Sequence, residues 1–141
     1  MTIRTAQSET DALKCWPALS ALRPHLVEGE WVETIKRMQG GGYQLVFVEA
    51  DRVVPSVAGF RFTEHLFGGP SLYIDDLSTL PEHRGQGYAG RLLDHLIALA
   101  RTRGCAQVHL DSGHHRYDAH RLYLNKGFRI SSHHFSLKLT V

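Results

Sequence analysis

The sequence predicts an α+β protein built on one mixed β-sheet, and two features carry that prediction. Apolar and polar residues alternate through several short runs bounded by turn residues, the period of half-buried strands. Between two such runs, Ser71–Leu80 and Ala106–Asp111, lies a helical stretch in which Ala89, Leu92, Leu93, Leu96, Ile97 and Ala100 recur at three- and four-residue steps. Strand, helix and strand in that order make a parallel crossover, whereas a short turn such as the one at Asp51-Arg52 joins antiparallel neighbours.

Taken in order, Thr2–Ala6 reads as the first strand, and Ser8-Glu9-Thr10-Asp11 supplies capping chemistry for a helix running to Leu22, made irregular by Pro17 and Pro24. A second helix spans Gly29–Met38 and is closed by Gly40-Gly41-Gly42. Tyr43–Glu49 and Ser56–Phe62 form a strand pair, and Ser71–Leu80 is the central strand. The main helix covers Gly87–Thr102 and stops at Gly104. Ala106–Asp111 is the next strand, Tyr117–Asn125 a short helix, and Phe128–Leu139 one or two closing strands. The predicted order is therefore β1-α1-α2-β2-β3-β4-α3-β5-α4-β6-β7, within a single domain over residues 1–141.

Composition narrows the function. A chain of 141 residues with 43% hydrophobic content can bury one real core but not two. Cys15 and Cys105 are too few for a disulfide framework, no apolar run approaches the ~20 residues of a membrane span, and Met-Thr-Ile-Arg-Thr-Ala lacks a signal-peptide core. A cytoplasmic protein that meets no membrane is expected. The formal charge of +2 suits an anionic cofactor but falls far short of the basic stripe of a nucleic-acid binder.

The most informative stretch is Leu80-Pro81-Glu82-His83-Arg84-Gly85-Gln86-Gly87-Tyr88-Ala89-Gly90-Arg91, which joins a strand to the amphipathic helix through glycine-rich backbone. The first amides of a helix lack internal partners and sit at the positive end of its dipole, so such a turn offers donors to phosphate. Gly85-Gln86-Gly87-Tyr88-Ala89-Gly90 also fits the dinucleotide fingerprint G-x-G-x-x-G, with Asp111 about twenty residues on in the place of a ribose-binding acid. Against NAD binding, the spacer Pro81-Glu82-His83-Arg84 separates strand from glycines, and too little chain follows Asp111 for a second nucleotide-binding half.

Arg84-x-x-Gly87-x-Ala89, preceded by Asp75-Asp76-Leu77 and Pro81-Glu82, resembles the acyl-CoA signature of the GNAT N-acyltransferase superfamily. The similarity extends to Ala119-His120-Arg121-Leu122-Tyr123-Leu124-Asn125-Lys126-Gly127-Phe128, which resembles the family's late helix. Leu110-Asp111-Ser112-Gly113 with Ser132-His133-His134-Phe135 is similar to a bacterial subgroup of unspecified acceptor. The resemblance implies the GNAT fold, acetyl-CoA as cosubstrate and direct attack by an amine of a small molecule or peptide. It implies that the backbone of Leu77, Ser78 and Thr79 meets pantetheine, with Leu77 the oxyanion donor. The diphosphate falls to Gly85, Gln86, Gly87, Tyr88, Ala89 and Gly90, with charge from Arg84 and Arg91; for Arg91 a solvated helix face is an equal alternative.

Tyr123 matches the family's acid, which protonates the departing sulfur, and it also counts among the groups touching CoA. Arg116 departs from the asparagine that many relatives place seven residues before that tyrosine. For the base, Asp75 resembles the first acid of polyamine acetyltransferases; strand alternation sends Asp75 and Asp76 to opposite faces, and Glu64 and Asp111 are rivals. Each of these carboxylates equally fits a role in attracting a cationic acceptor. No histidine pair has zincin spacing, so no metal is expected, and His120 is a candidate proton relay. Trp16, Trp31 and Phe67 hint at a small cationic amine acceptor, and the terminal strands at a homodimer. A CoA-binding regulatory module without turnover is the alternative from a different class.

Overall fold

The computed structural model describes residues 1–140. They divide into two compact units, residues 1–110 and the segment from Asp111 onward. The first holds a five-stranded sheet in the order β1-β2-β3-β4-β5: β1 (Thr2–Thr5), β2 (Gln44–Ala50), β3 (Val53–His65), β4 (Gly69–Thr79) and β5 (Gln107–Leu110). Neighbours from β1 to β4 run antiparallel, and β5 runs parallel to β4. That parallel step is made by the crossover helix α3 (Tyr88–Thr102), as the strand–helix–strand pattern requires.

Local chemistry explains the boundaries. At the start of α1 (Glu9–Leu22), Ser8 Oγ accepts from the Asp11 amide at 3.1 Å, and the Asp11 carboxylate accepts from the Gln7 amide at 3.1 Å. A 3₁₀ turn, Glu28–Glu30, leads into α2 (Trp31–Gly40), two residues later than predicted at each end. The β2–β3 hairpin turns at Asp51 (φ 50°) and Arg52 (φ 67°), two successive left-handed residues of the kind that match the strands' twist.

β2 and β3 are covered on both faces. On one, Leu45, Phe47 and Val57 join Ala12, Cys15, Ala18 and Leu19 of α1 and Trp31 and Ile35 of α2 in a single apolar cluster. Helix α3 packs on the sheet with Leu92, Leu93, Leu96 and Ala100 buried, and Phe60, Leu72 and Ile74 are buried in β3 and β4. Each such leucine, isoleucine or phenylalanine contributes about 1.5–3 kcal/mol by leaving water. Trp31 belongs to this core: it is buried, its indole N–H donates to Ala12 O at 2.7 Å, and Trp16 lies against it at 5.5 Å between ring centroids. The tryptophans are thereby accounted for by packing, while Phe67 is exposed in the β3–β4 turn and stacks on His65. No helix among the described residues is long and apolar enough to cross a membrane.

The second unit contains α4 (Tyr117–Asn125), closed by Gly127 (φ 96°) and by the Phe128 amide donating to Tyr123 O at 3.0 Å. Here the seven-strand expectation is corrected. Residues 128–140 carry no strand, so five strands are described rather than seven. The alternation of Phe135, Leu137 and Leu139 has the right period, yet all three are exposed and no strand pairs with them. Period two is a necessary condition for a strand, but backbone pairing makes one.

Gly59 of β3 lies beneath Tyr43, where a Cβ would run into the buried hydroxyl. Gly59→Ala is therefore expected to destabilise the protein by about 2 kcal/mol, with loss of the Tyr43 hydrogen bond, as read by urea unfolding.

Candidate functional site

Two features of β4 set the site. β3 pairs Gly59 with Asp76 and Phe60 with Ile74, so Asp75 is a surplus residue bulged out of the ladder. Beyond it, β5 offers no partner: its pairing with β4 covers Ser71 to Ile74 and ends there. The Leu80 amide donates to Pro55 O across β3 at 2.8 Å, so the alternate residues Ser78 and Asp76 also turn their backbone toward β3. Leu77 and Thr79, in the intervening pairs with Ala58 and Ser56, therefore direct N–H and C=O toward the open edge. The Ser78 side chain is committed elsewhere, donating to Ala18 O at 2.7 Å.

A 3₁₀ turn, Pro81–His83, then carries the chain to α3, with Arg84 Nε donating to Thr79 O at 3.4 Å. Gly85 and Gly87 take φ of 79° and 84°, conformations that L side chains avoid, and nothing lies within 4 Å of the space a Cβ would fill at either. Gly87 is the N-cap, and no side chain caps the helix. The first amides of α3, at Tyr88, Ala89 and Gly90, thus have no partner within the helix. Gln86 is exposed beside them, and exposed Arg91 directs Nη1 to the Met1 sulfur at 3.6 Å. An open, positively polarised backbone turn fits a diphosphate, and a free β4 edge fits an extended amide-bearing arm.

The bulge has a further consequence, which corrects the expectation that Asp75 and Asp76 face opposite ways. Asp75 is held by Arg61, whose Nε and Nη2 lie 3.1–3.2 Å from its carboxylate oxygens. Asp76 accepts from Tyr43 Oη at 2.8 Å and from Arg23 Nε at 3.0 Å. Arg61 in turn lies over the Tyr43 ring at 5.5 Å, and Arg23 Nη2 donates to Asp75 O at 3.1 Å. One surplus residue resets the two-residue period, so both carboxylates join one cluster on the face covered by α1. Burial raises the Asp75 pKa by more than its bonds to Arg61 lower it. Burial, then Asp76, push the Tyr43 phenol far up, so it stays a donor.

Of the other predicted carboxylates, Glu64 belongs to the first unit and Asp111 to the second. Glu64 sits three residues beyond Arg61 on β3, about 10 Å along the strand and on the alternate face. Asp111 opens the second unit, where His134 Nδ1 lies 3.4 Å from its carboxylate. In that unit Tyr123 is half-buried in α4, 5.9 Å from the Phe128 ring; burial raises its pKa, against a smaller lowering by Arg116. His120 Nε2 bonds Gly113 O at 2.9 Å. Cys15 is buried, which pushes its thiol up to about 12. Among the described residues no three His, Cys, Asp or Glu side chains converge to hold a metal.

Tyr43, Arg23 and Arg61 escaped the sequence reading. Arg61 left a signal, a charge between Phe60 and Phe62 in an apolar strand, whereas Tyr43 over Gly59 is a register contact with no local signature.

The Acetyltransferase (GNAT) family model matches residues 9–128. An uncharacterized N-acetyltransferase of Bacillus subtilis, YhdJ, is 32% identical over 130 residues, 91% of this chain and 92% of that protein. A crystal structure of a transcriptional regulator from Bacillus halodurans C-125 is similar at TM-score 0.86 and 24% identity, covering 98% of this chain and 99% of that one. AAC(6')-Iy in complex with a bisubstrate analogue, CoA-S-monomethyl-acetylneamine, matches at TM-score 0.80 and 16% identity over 100% of both chains. At these identities the two structures speak for the fold alone.

Tyr43→Phe should cost about 1 kcal/mol, because Asp76 keeps Arg23. Asp76→Ala should cost more, about 2–3 kcal/mol, by stranding a buried hydroxyl and a guanidinium together. Urea denaturation of both variants and of the double variant is expected to give a sum larger than the double-variant loss.

Proposed function

The chain belongs to the Acetyltransferase (GNAT) family, and from that premise we propose that it transfers an acetyl group from acetyl-CoA to a primary amine in a ternary complex. The observation that carries the proposal is the pairing of an open β4 edge at Leu77 and Thr79 with the uncapped start of α3 at Gly87. A neutral peptide-like arm and a phosphate group are the two things such backbone is suited to hold, and acyl-CoA joins both in one molecule.

Acetyl-CoA supplies an activated thioester acyl group. In the proposed reaction the amine nitrogen bonds to the acyl carbon and the carbon–sulfur bond breaks. The nitrogen gives its proton to Asp75, and the departing sulfur takes one from Tyr123. Asp75 suits the base because burial lifts it above an ordinary carboxyl while Arg61 keeps it ion-paired. Tyr123 suits the acid because a phenol is protonated at neutral pH, and burial here raises its pKa rather than lowering it. The outward Leu77 amide is the candidate donor to the acyl oxygen as negative charge develops there. Direct attack is favoured over a covalent enzyme intermediate because the buried Cys15, at about 12, stays a thiol, and Cys105 shows no sequence sign of an activating histidine.

The test is CoA thiol release from acetyl-CoA across a panel of amines. Tyr123→Phe is expected to lower kcat by about 100-fold with little change in the KM for acetyl-CoA. An unchanged kcat removes Tyr123 as the acid, and acetyl-CoA binding without thiol release for any amine favours a non-catalytic binding module. The pH profile provides a second check. Because the Asp75 pKa is raised, the base is lost as pH falls through a value above the ordinary carboxyl range. The acid limb of kcat should lie above that range in the native enzyme and disappear in Asp75→Asn.

A further inference from the structure

The cluster at the bulge holds two carboxylates and two guanidiniums in pairs, Asp75 with Arg61 and Asp76 with Arg23, so its formal charges cancel. A polycation finds no net attraction there and meets two guanidiniums, each already committed to its own carboxylate. This removes the main reason to expect a polyamine or another cluster of amines as acceptor.

The arginines have capacity left over. A guanidinium carries five N–H donors in a planar fork suited to carboxylates. Arg61 spends Nε and Nη2 on Asp75, and Arg23 spends Nε and Nη2 on Asp76 and Asp75 O. Neither Nη1 has a hydrogen bond among the described residues. The two side chains are 41% and 32% exposed, so both reach solvent. They approach β4 from two directions, Arg23 from the end of α1 and Arg61 from β3, with Asp75 in contact with both.

We infer that the acceptor is an amine carrying its own carboxylate close by, an amino-acid-like zwitterion whose anion is gripped by the free donors of Arg23 and Arg61 while its nitrogen meets Asp75. The inference rests on the acetyl-transfer reading of the same site and narrows its substrate class. A carboxylate on the free guanidinium edges restores the one kind of group the pairs leave unsatisfied, and it holds the adjacent nitrogen a few bonds away, beside a carboxylate.

The experiment is calorimetric titration of the full chain in saturating CoA with the common L-amino acids, each set against its decarboxylated amine, such as L-phenylalanine against phenethylamine and L-lysine against cadaverine. At least one amino acid is expected to bind about 10- to 100-fold more tightly than its amine, the worth of a charge-assisted bond or two. Arg61→Gln and Arg23→Gln should shrink that ratio toward one, through weaker binding of the amino acid and, with a carboxylate left uncompensated, equal or tighter binding of the decarboxylated amine. Equal affinities, tighter binding of the amines, or no binding of either class overturns the inference, and the native-protein ratios decide this even if a variant fails to fold. Thiol release run beside the titration separates the two levels. Turnover of amines without carboxylates leaves acetyl transfer standing and sinks the zwitterion; no acetyl-CoA binding at all sinks the transfer reading itself.

Discussion

Asp75 has no partner across β3, and most of what distinguishes this molecule from a plain sheet covered by helices follows from that surplus residue. A bulge increases local twist and turns the strand. Past it, β4 leaves β5 behind, and the backbone of Leu77 and Thr79 is left facing an edge that no strand fills. An unfilled edge in the middle of a sheet is an aggregation hazard unless something is meant to cover it. Here the chain turns at once through Pro81–His83 into the start of α3, so open edge and open helix terminus adjoin.

The same residue gathers charge. With the alternation reset, Asp75 and Asp76 share a face, and two like charges on neighbouring residues require compensation. It comes from three different elements: Arg23 at the end of α1, Tyr43 just before β2 and Arg61 on β3. The network therefore ties the helical layer to the sheet at the place where the sheet is least regular. Its cost in desolvation is offset by complete pairing, each carboxylate meeting a guanidinium and Asp76 also a phenol.

Much of this was legible from residue order alone, and the failures are physical. The Leu80–Arg91 stretch could be read as a turn from strand to helix because glycine at 85 and 87 announces left-handed φ directly. The α3 stripe could be read because its period matches the core it covers. Alternation misassigned Asp76, because the rule of two holds only where the ladder is unbroken, and no residue type marks the bulge. It also overstated the C-terminal strands: Phe135, Leu137 and Leu139 satisfy the period without a pairing partner. Trp31 suggested a pocket and turned out to be core, since an indole with its N–H bonded to Ala12 O is fully satisfied inside.

Whether the open β4 edge and the start of α3 form one binding surface for acyl-CoA is tested by an amide-resolved NMR titration of the isotope-labelled protein with acetyl-CoA. The largest shifts are expected to fall together on Leu77, Thr79 and Gly85–Gly90, with the same apparent affinity at each. Saturable binding whose shifts spare both the β4 edge and the glycine turn would contradict it.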